Sequence, residues 1–285
     1  MIWRTKEHAQ RGEIDLSSEA VVMGILNVTP DSFSDGGKNF TYYSAVEKAR
    51  EMVIQGARII DIGGESTRPG ATPVQAEEEI SRVVPVIECL RKLKEFDSIY
   101  ISVDTSKAIV AEKALQAGAD IVNDVTGCTI DPKMIPLLAK TGAGVVVMHM
   151  QGTPKNMQEN PTYENVISEV YSFFTERLNT LTSAGVLADR ICLDPGIGFG
   201  KTDQHNLSLL VHIEKLAVAD RPVLLGISRK SIFGRLLGEE DPQERDAATI
   251  SMTTLARNNG CMLHRVHDVK GNFDALRMTE HYLNT

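Results

Sequence analysis

The chain has 285 residues, of which 42% are hydrophobic and 24% charged, and a formal net charge of -8. That length holds one large core or two modest domains. The acidic balance speaks against a nucleic-acid or membrane-surface protein, both of which need a basic footprint.

The four cysteines, Cys89, Cys128, Cys192 and Cys261, are far apart and form no C-x-x-C. They read as reduced, buried thiols and not as a disulfide frame or zinc site. The first residues carry no apolar stretch of signal-peptide length, and no apolar run nears the roughly 18 residues of a membrane span. A cytoplasmic location is therefore expected.

Residues 1–20 are polar and read as an extension packed on the main domain, either a lid or an extra hairpin. From residue 21 short β-branched runs alternate with longer stretches of helical period. Strands are expected over 21–26, 58–63, 99–104, 120–123, 144–149, 190–194, 222–227 and 261–266. Helices are expected over 43–55, 76–94, 107–117, 132–141, 163–184, 206–218 and 246–259. Gly56, Gly118, Gly142, Gly185 and Gly260 follow predicted helices, as glycines past a helix end do. Eight such strands over about 250 residues predict a (β/α)₈ TIM barrel spanning 21–285 as one domain. An open doubly wound sheet is the alternative, weakened by the lack of G-x-G-x-x-G after the first strand.

In such a barrel the chemistry sits where the strands end. The first strand ends at Asn27, followed by Val-Thr-Pro-Asp-Ser-Phe33-Ser-Asp35-Gly-Gly. The second runs into Asp61-Ile-Gly-Gly-Glu-Ser-Thr67-Arg68-Pro69-Gly70. The third ends in Ser102-Val-Asp104-Thr-Ser106 and the fourth in Asn123-Asp-Val125. The fifth ends in Met148-His-Met150 and the sixth in Asp194-Pro-Gly-Ile-Gly-Phe199-Gly-Lys201. The seventh ends in Gly226-Ile-Ser228-Arg-Lys230, and the eighth carries Arg265-Val-His267-Asp268. One polar strand end means little; eight together suggest a polar ligand in the mouth.

Asp104 and Asp194 follow apolar runs, and a half-buried carboxylate needs a partner. A ligand with adjacent N–H donors, such as a guanidine-like ring edge, would serve. The plainer readings are a salt bridge across the barrel or, for Asp104, a helix N-cap. Asn123 offers both donors and acceptors and can complement a heterocycle, or it is a turn residue. Arg265 and His267, two apart on a strand, share a face and make a small anion site suited to phosphate. Their plainer readings are an ion pair and a structural imidazole. Ser228-Arg229-Lys230 opens a helix, where free N–H groups favour a carboxylate or phosphate; the bland reading is a Ser N-cap with solvated basic neighbours. The Asn27 amide oxygen suits a hard cation, and Mg²⁺ held largely by a diphosphate is consistent with one such ligand.

Read in order, these strings resemble the dihydropteroate synthases over about residues 21–280, with every motif present. The resemblance implies a TIM barrel, working as a homodimer, that joins 6-hydroxymethyl-7,8-dihydropterin diphosphate to 4-aminobenzoate and releases diphosphate. It implies that Asp104, Asn123, Asp194 and Lys230 bind the pterin, with Met148 and Gly226 beside it. Arg265 would stack on the ring and, with His267 and Asn27, hold the diphosphate, Asn27 ligating Mg²⁺. Thr67, Arg68 and Pro69 would lie over the site. Phe33, Phe199 and Ser228 would shape the aminobenzoate pocket. Two rivals stand beside it: a pterin-dependent methyltransferase, which needs no anion pair, and a non-catalytic pterin-binding paralogue.

Overall fold

The computed structural model describes residues 1–8, 11–29, 38–66, 73–153 and 156–285. Ile2–His8 (β1) and Arg11–Asp15 (β2) pair antiparallel as a hairpin. Eight parallel strands follow: β3 Val21–Asn27, β4 Ile59–Gly63, β5 Tyr100–Asp104, β6 Ile121–Asp124, β7 Gly144–Met148, β8 Ile191–Asp194, β9 Leu224–Leu225 and β10 Leu263–Val266. They pair in the order β8-β7-β6-β5-β4-β3-β10-β9. A bridge between Leu193 and Val223, with Leu193 N–H donating to Pro222 O at 2.9 Å, joins the ends. The sheet is thus a barrel, and the open doubly wound alternative is excluded.

The strands are apolar along both faces because both are covered, by helices outside and by one another inside. The helices are α1 Lys38–Ile54, α2 Ala76–Arg91, α3 Ala108–Ala117, α4 Met134–Thr141, α5 Val166–Ser183, α6 Asp203–Val211, α7 Ser231–Leu237, α8 Asp246–Asn258 and α9 Val269–Leu283. One of these, α9, lies outside the stretches read as helical in the sequence; α7 is the helix expected to open at Ser228-Arg229-Lys230, and it begins at Ser231. The predicted helix 206–218 instead begins at Thr202, whose side chain accepts from His205 N–H in a capping box, and gives way to short 3₁₀ turns after Val211. Gly118 and Gly142 close α3 and α4 with φ of 116° and 68°, a conformation that costs glycine nothing.

The barrel interior is layered. Met23, Ile59, Tyr100, Ile121, Val146, Cys192, Leu224 and Leu263 fill its lower half, and Trp3, Ile14 and Leu16 of the hairpin pack against them. The hairpin therefore seals the end of the barrel where the strands begin; it is not a lid over the end where they finish. Trp3 Nε1 donates to Arg190 O at 2.9 Å, and Tyr100 Oη donates to Glu13 O at 2.6 Å. Arg11 Nε donates to Asp120 Oδ1 at 3.1 Å in a pair almost wholly buried. No described helix is long and apolar enough to cross a membrane. All four cysteines are free; Cys128, Cys192 and Cys261 are buried and Cys89 half-buried.

Candidate functional site

Alternate residues of each strand face the barrel interior, so the parity that aims Met23, Ile59, Tyr100 and Leu263 inward also aims Asn27, Asp61, Gly63, Asp104 and Arg265 inward. Register then sets neighbours. Asn27 pairs with Gly63, Gly63 with Asp104 and Asp104 with Asn123. On the far side Met148 pairs with Asp194. The polar strand ends thus form one collar at the mouth.

Glycine keeps that collar open. A side chain at Gly63 would come within 3.5 Å of Asp104 Cβ and 3.8 Å of Asn27 Oδ1. One at Gly226 would lie 3.4 Å from Asp194 Oδ2.

Arg265 is the hub. Its Nε donates to Asp61 Oδ2 at 2.6 Å and its Nη2 to Asp104 Oδ2 at 2.6 Å. Burial works against its charge, but Asp61 and Asp104 more than offset that, and its pKa is raised. Asn123 Nδ2 donates to the same Asp61 oxygen at 3.1 Å. Asp104 is therefore not a helix N-cap but one end of a cross-barrel salt bridge; Lys107 holds the N-cap position of α3. Burial pushes its pKa up to about 7 against the pull of Arg265, with Asp61, Glu79 and Asp124 adding to the rise.

The opposite wall carries Asp194, Phe199 and Lys230. Gly196 N–H donates to Asp194 Oδ1 at 2.8 Å. Burial raises the Asp194 pKa, with Lys230, Arg265 and Lys201 opposing. The Lys230 ammonium lies 3.9 Å from the centre of the Phe199 ring, and burial brings its pKa down to about 8. Phe199 belongs to a small apolar patch with Met148, Val125 and Met157 at the mouth.

Ser228 and His267 are tied together. His267 N–H donates to Ser228 Oγ at 3.1 Å, and Ser228 Oγ lies 3.0 Å from His267 Nδ1. Ser228 is not an N-cap; Lys230 occupies that position of α7. Between them Arg229 is forced to a φ of 57°. Its N–H donates to Thr249 Oγ1 at 3.1 Å, and its guanidinium grips Asp246 at 2.7 and 2.6 Å. Arg229 is an anchor that pins the turn presenting Ser228 and Lys230, and not a solvated neighbour.

Two further groups went unassigned in the sequence. Asp61 joins Arg265 to Asn123 from below. Lys201, buried, lies 2.9 Å from His149 Nδ1 and donates to the carbonyls of Phe199, Gly196 and His149 at 2.9, 3.1 and 3.3 Å. Burial lowers the Lys201 pKa to about 7 and that of His149 to about 3, with the Lys201 charge adding to the latter. The pair braces the turn that holds Asp194 and Phe199. A signal for Asp61 was present: a carboxylate inside Ile59-Ile60-Asp61-Ile62, two residues from Gly63 and so on its face. Phe33, Thr67, Arg68 and Pro69 lie outside the described residues.

The arrangement sets carboxylate acceptors for paired N–H donors beside the cationic Arg265 and Lys230. The model of the family described as "Pterin binding enzyme" matches residues 23–267. The dihydropteroate synthase of Escherichia coli strain K12 is 45% identical over 275 residues, covering 96% of this chain and 95% of that one. The chain belongs to the dihydropteroate synthase family. A Xanthomonas albilineans dihydropteroate synthase solved with 4-aminobenzoic acid superposes with a TM-score of 0.88, at 41% identity and 96% coverage of both chains. The same organism's dihydropteroate synthase in complex with 7,8-dihydropteroate gives 0.87, at 38% identity and 99% coverage of both. The collar described above lies within the matched residues 23–267.

Proposed function

We propose that the chain catalyses the dihydropteroate synthase reaction of folate biosynthesis. It condenses 6-hydroxymethyl-7,8-dihydropterin diphosphate with 4-aminobenzoate to give 7,8-dihydropteroate and diphosphate. The observation that carries this reading is the juxtaposition of Asp104, Asn123 and Asp194 with Arg265 in one collar, in a chain so similar to enzymes of that name.

The guanidine-like edge of the pterin takes the acceptors: Asp104 and Asp194 receive its N–H groups, while Asn123 and Lys230 serve its remaining polar atoms. Met148 and Gly226 line the ring. Arg265 stacks on it and, with His267, receives the diphosphate. Phe199 and Ser228 shape the aminobenzoate pocket.

Diphosphate leaves from a carbon attached to a ring that can spread the developing positive charge. Arg265 and His267 neutralise the departing oxygens, and the weakly nucleophilic arylamine attacks afterwards. We read the displacement as largely dissociative. Diphosphate release that strictly requires 4-aminobenzoate, with no trappable intermediate, would rule that route out.

The donor set fits Mg²⁺. Asn27 offers a neutral amide oxygen at the mouth, beside its register partner Gly63. Bound there with the diphosphate, Mg²⁺ would neutralise charge on the leaving group. Treatment with a chelator should abolish turnover, and Asn27→Ala should raise the Mg²⁺ needed to restore it; turnover indifferent to both would remove the metal from the scheme. Free cysteines, three of them buried, fit a reducing cytoplasm.

The test of the function is direct. Purified protein, Mg²⁺, pterin diphosphate and 4-aminobenzoate are combined, and dihydropteroate is followed by mass spectrometry. Equimolar dihydropteroate and diphosphate support the reading. Binding of the pterin without turnover, or methyl transfer without diphosphate release, overturns it.

A further inference from the structure

We propose that Asp61 is a positioning residue for the pterin and diphosphate site, acting through Arg265 and Asn123; this rests on the function proposed above. Its side chain is wholly buried on β4, one inward-facing position below the collar. A single oxygen, Oδ2, receives Arg265 Nε at 2.6 Å and Asn123 Nδ2 at 3.1 Å. The two groups it joins stand on opposite sides of it, β10 and β6, and both belong to the proposed site.

The geometry separates the two carboxylates that hold Arg265. Nε and Nη2 lie on the same edge of the guanidinium, and that edge is shared between Asp61 and Asp104 instead of gripping one of them. Asp104 sits in the collar, where the N–H edge of a pterin would claim it. Asp61 sits beneath, out of reach of a ligand. When the ring takes Asp104, Asp61 keeps Nε, so the arginine plane holds its tilt while Nη2 is released toward the incoming phosphate. Asp61 is the fixed contact and Asp104 the exchangeable one.

Nothing else about Asp61 explains its presence. Its Oδ1 is buried with no hydrogen-bond partner among the described residues, and so is the Oγ of Ser102, its register partner on β5. A buried carboxylate left half unsatisfied costs stability, and an apolar residue in its place would face the barrel interior as Ile59 does. A group retained at that cost is serving the two side chains it orients.

The experiment uses calorimetric titration of pterin diphosphate with Mg²⁺, together with steady-state kinetics, on wild type, Asp61→Asn, Arg265→Lys and the double variant. Asparagine keeps the shape and loses the charge. Asp61→Asn should weaken pterin diphosphate binding at least about tenfold and lower kcat, with KM for 4-aminobenzoate unchanged. Because Asp61 acts through Arg265, the double variant should be little worse than Arg265→Lys alone. Multiplying losses, or a loss confined to thermal stability, would make Asp61 merely structural and overturn the proposal. So would wild-type affinity and kcat in Asp61→Asn. Should that variant not fold, Asp61→Ser, which leaves room for water, is read in the same cycle. Failure of wild type to bind pterin diphosphate at all would instead sink the function proposed above.

Discussion

Asp104 carries the sharpest consequence at the scale of single residues. Burial holds its ligand-free pKa near 7, well above the usual 3.8. Between those values the folded chain keeps a proton that the unfolded chain releases, so this group's contribution to stability falls as pH rises through that window. Asp104→Asn should accordingly gain stability relative to wild type as pH rises from about 4 to about 7 in urea melts; a constant difference across that window would contradict the assignment. The carboxylate form is the one that accepts pterin N–H groups. Pterin affinity in wild type should therefore weaken as pH drops from 8 to 6, and calorimetry across that range should show a smaller pH dependence for Asp104→Asn; an equal dependence in the two would contradict the assignment. At fixed pH, Asp104→Ala and Lys230→Ala should each cost roughly tenfold or more in pterin affinity. Unchanged binding in either would remove that residue from the reading site.

At the scale of elements, two pieces make the mouth rigid from outside it. The turn after β8 hangs on Lys201, which donates to three carbonyls; Lys201→Met leaves them unpaired and should cost about 1–3 kcal/mol in urea stability. The same variant should lower kcat/KM for both substrates, because Asp194 and Phe199 ride on that turn, and full activity would argue against the brace. The β1–β2 hairpin supports the barrel from its other end. Trp3→Ala should cost about 3–5 kcal/mol, with pterin affinity unchanged at temperatures where the chain is folded. Loss of affinity in the folded variant would mean the hairpin reaches the site.

These elements also show what could be read in the chain. Alternation of apolar runs and helical periods laid out eight strands within a residue or two, because buried parallel strands carry a strong pattern. Helix α9 escaped because nothing separates it from the motif it follows, starting one residue after Asp268, and of α7 only the opening after Lys230 was legible. The site residues were legible as strand ends. Their partners were not, since no sequence spacing reports that Asp61 meets Arg265 two hundred residues away, or that Lys201 turns back onto His149.

On the scale of the whole molecule, the barrel divides its labour by depth. Apolar layers and the hairpin close one end, and all the chemistry proposed here is confined to the other. We propose that the molecule works as a homodimer through the side of the barrel carrying α7 and α8. Leu236 and Leu237 of α7 and Leu255 of α8 are each more than half exposed, apolar area that a second copy would remove from water. Sedimentation equilibrium should give twice the 31.3 kDa chain mass, and Leu255→Lys should shift it toward the monomer. A wild-type monomer at micromolar concentration would contradict the dimer without touching the site.

The central claim is that one collar reads the pterin and holds its leaving group. Its most direct test is a crystal structure of the chain with pterin diphosphate and Mg²⁺. The ring should lie with Asp104, Asn123, Asp194 and Lys230 in hydrogen-bond reach of its polar edge, and the diphosphate against Arg265, His267 and the Asn27 metal. A ring seated elsewhere, or a diphosphate turned away from Arg265, would contradict the account.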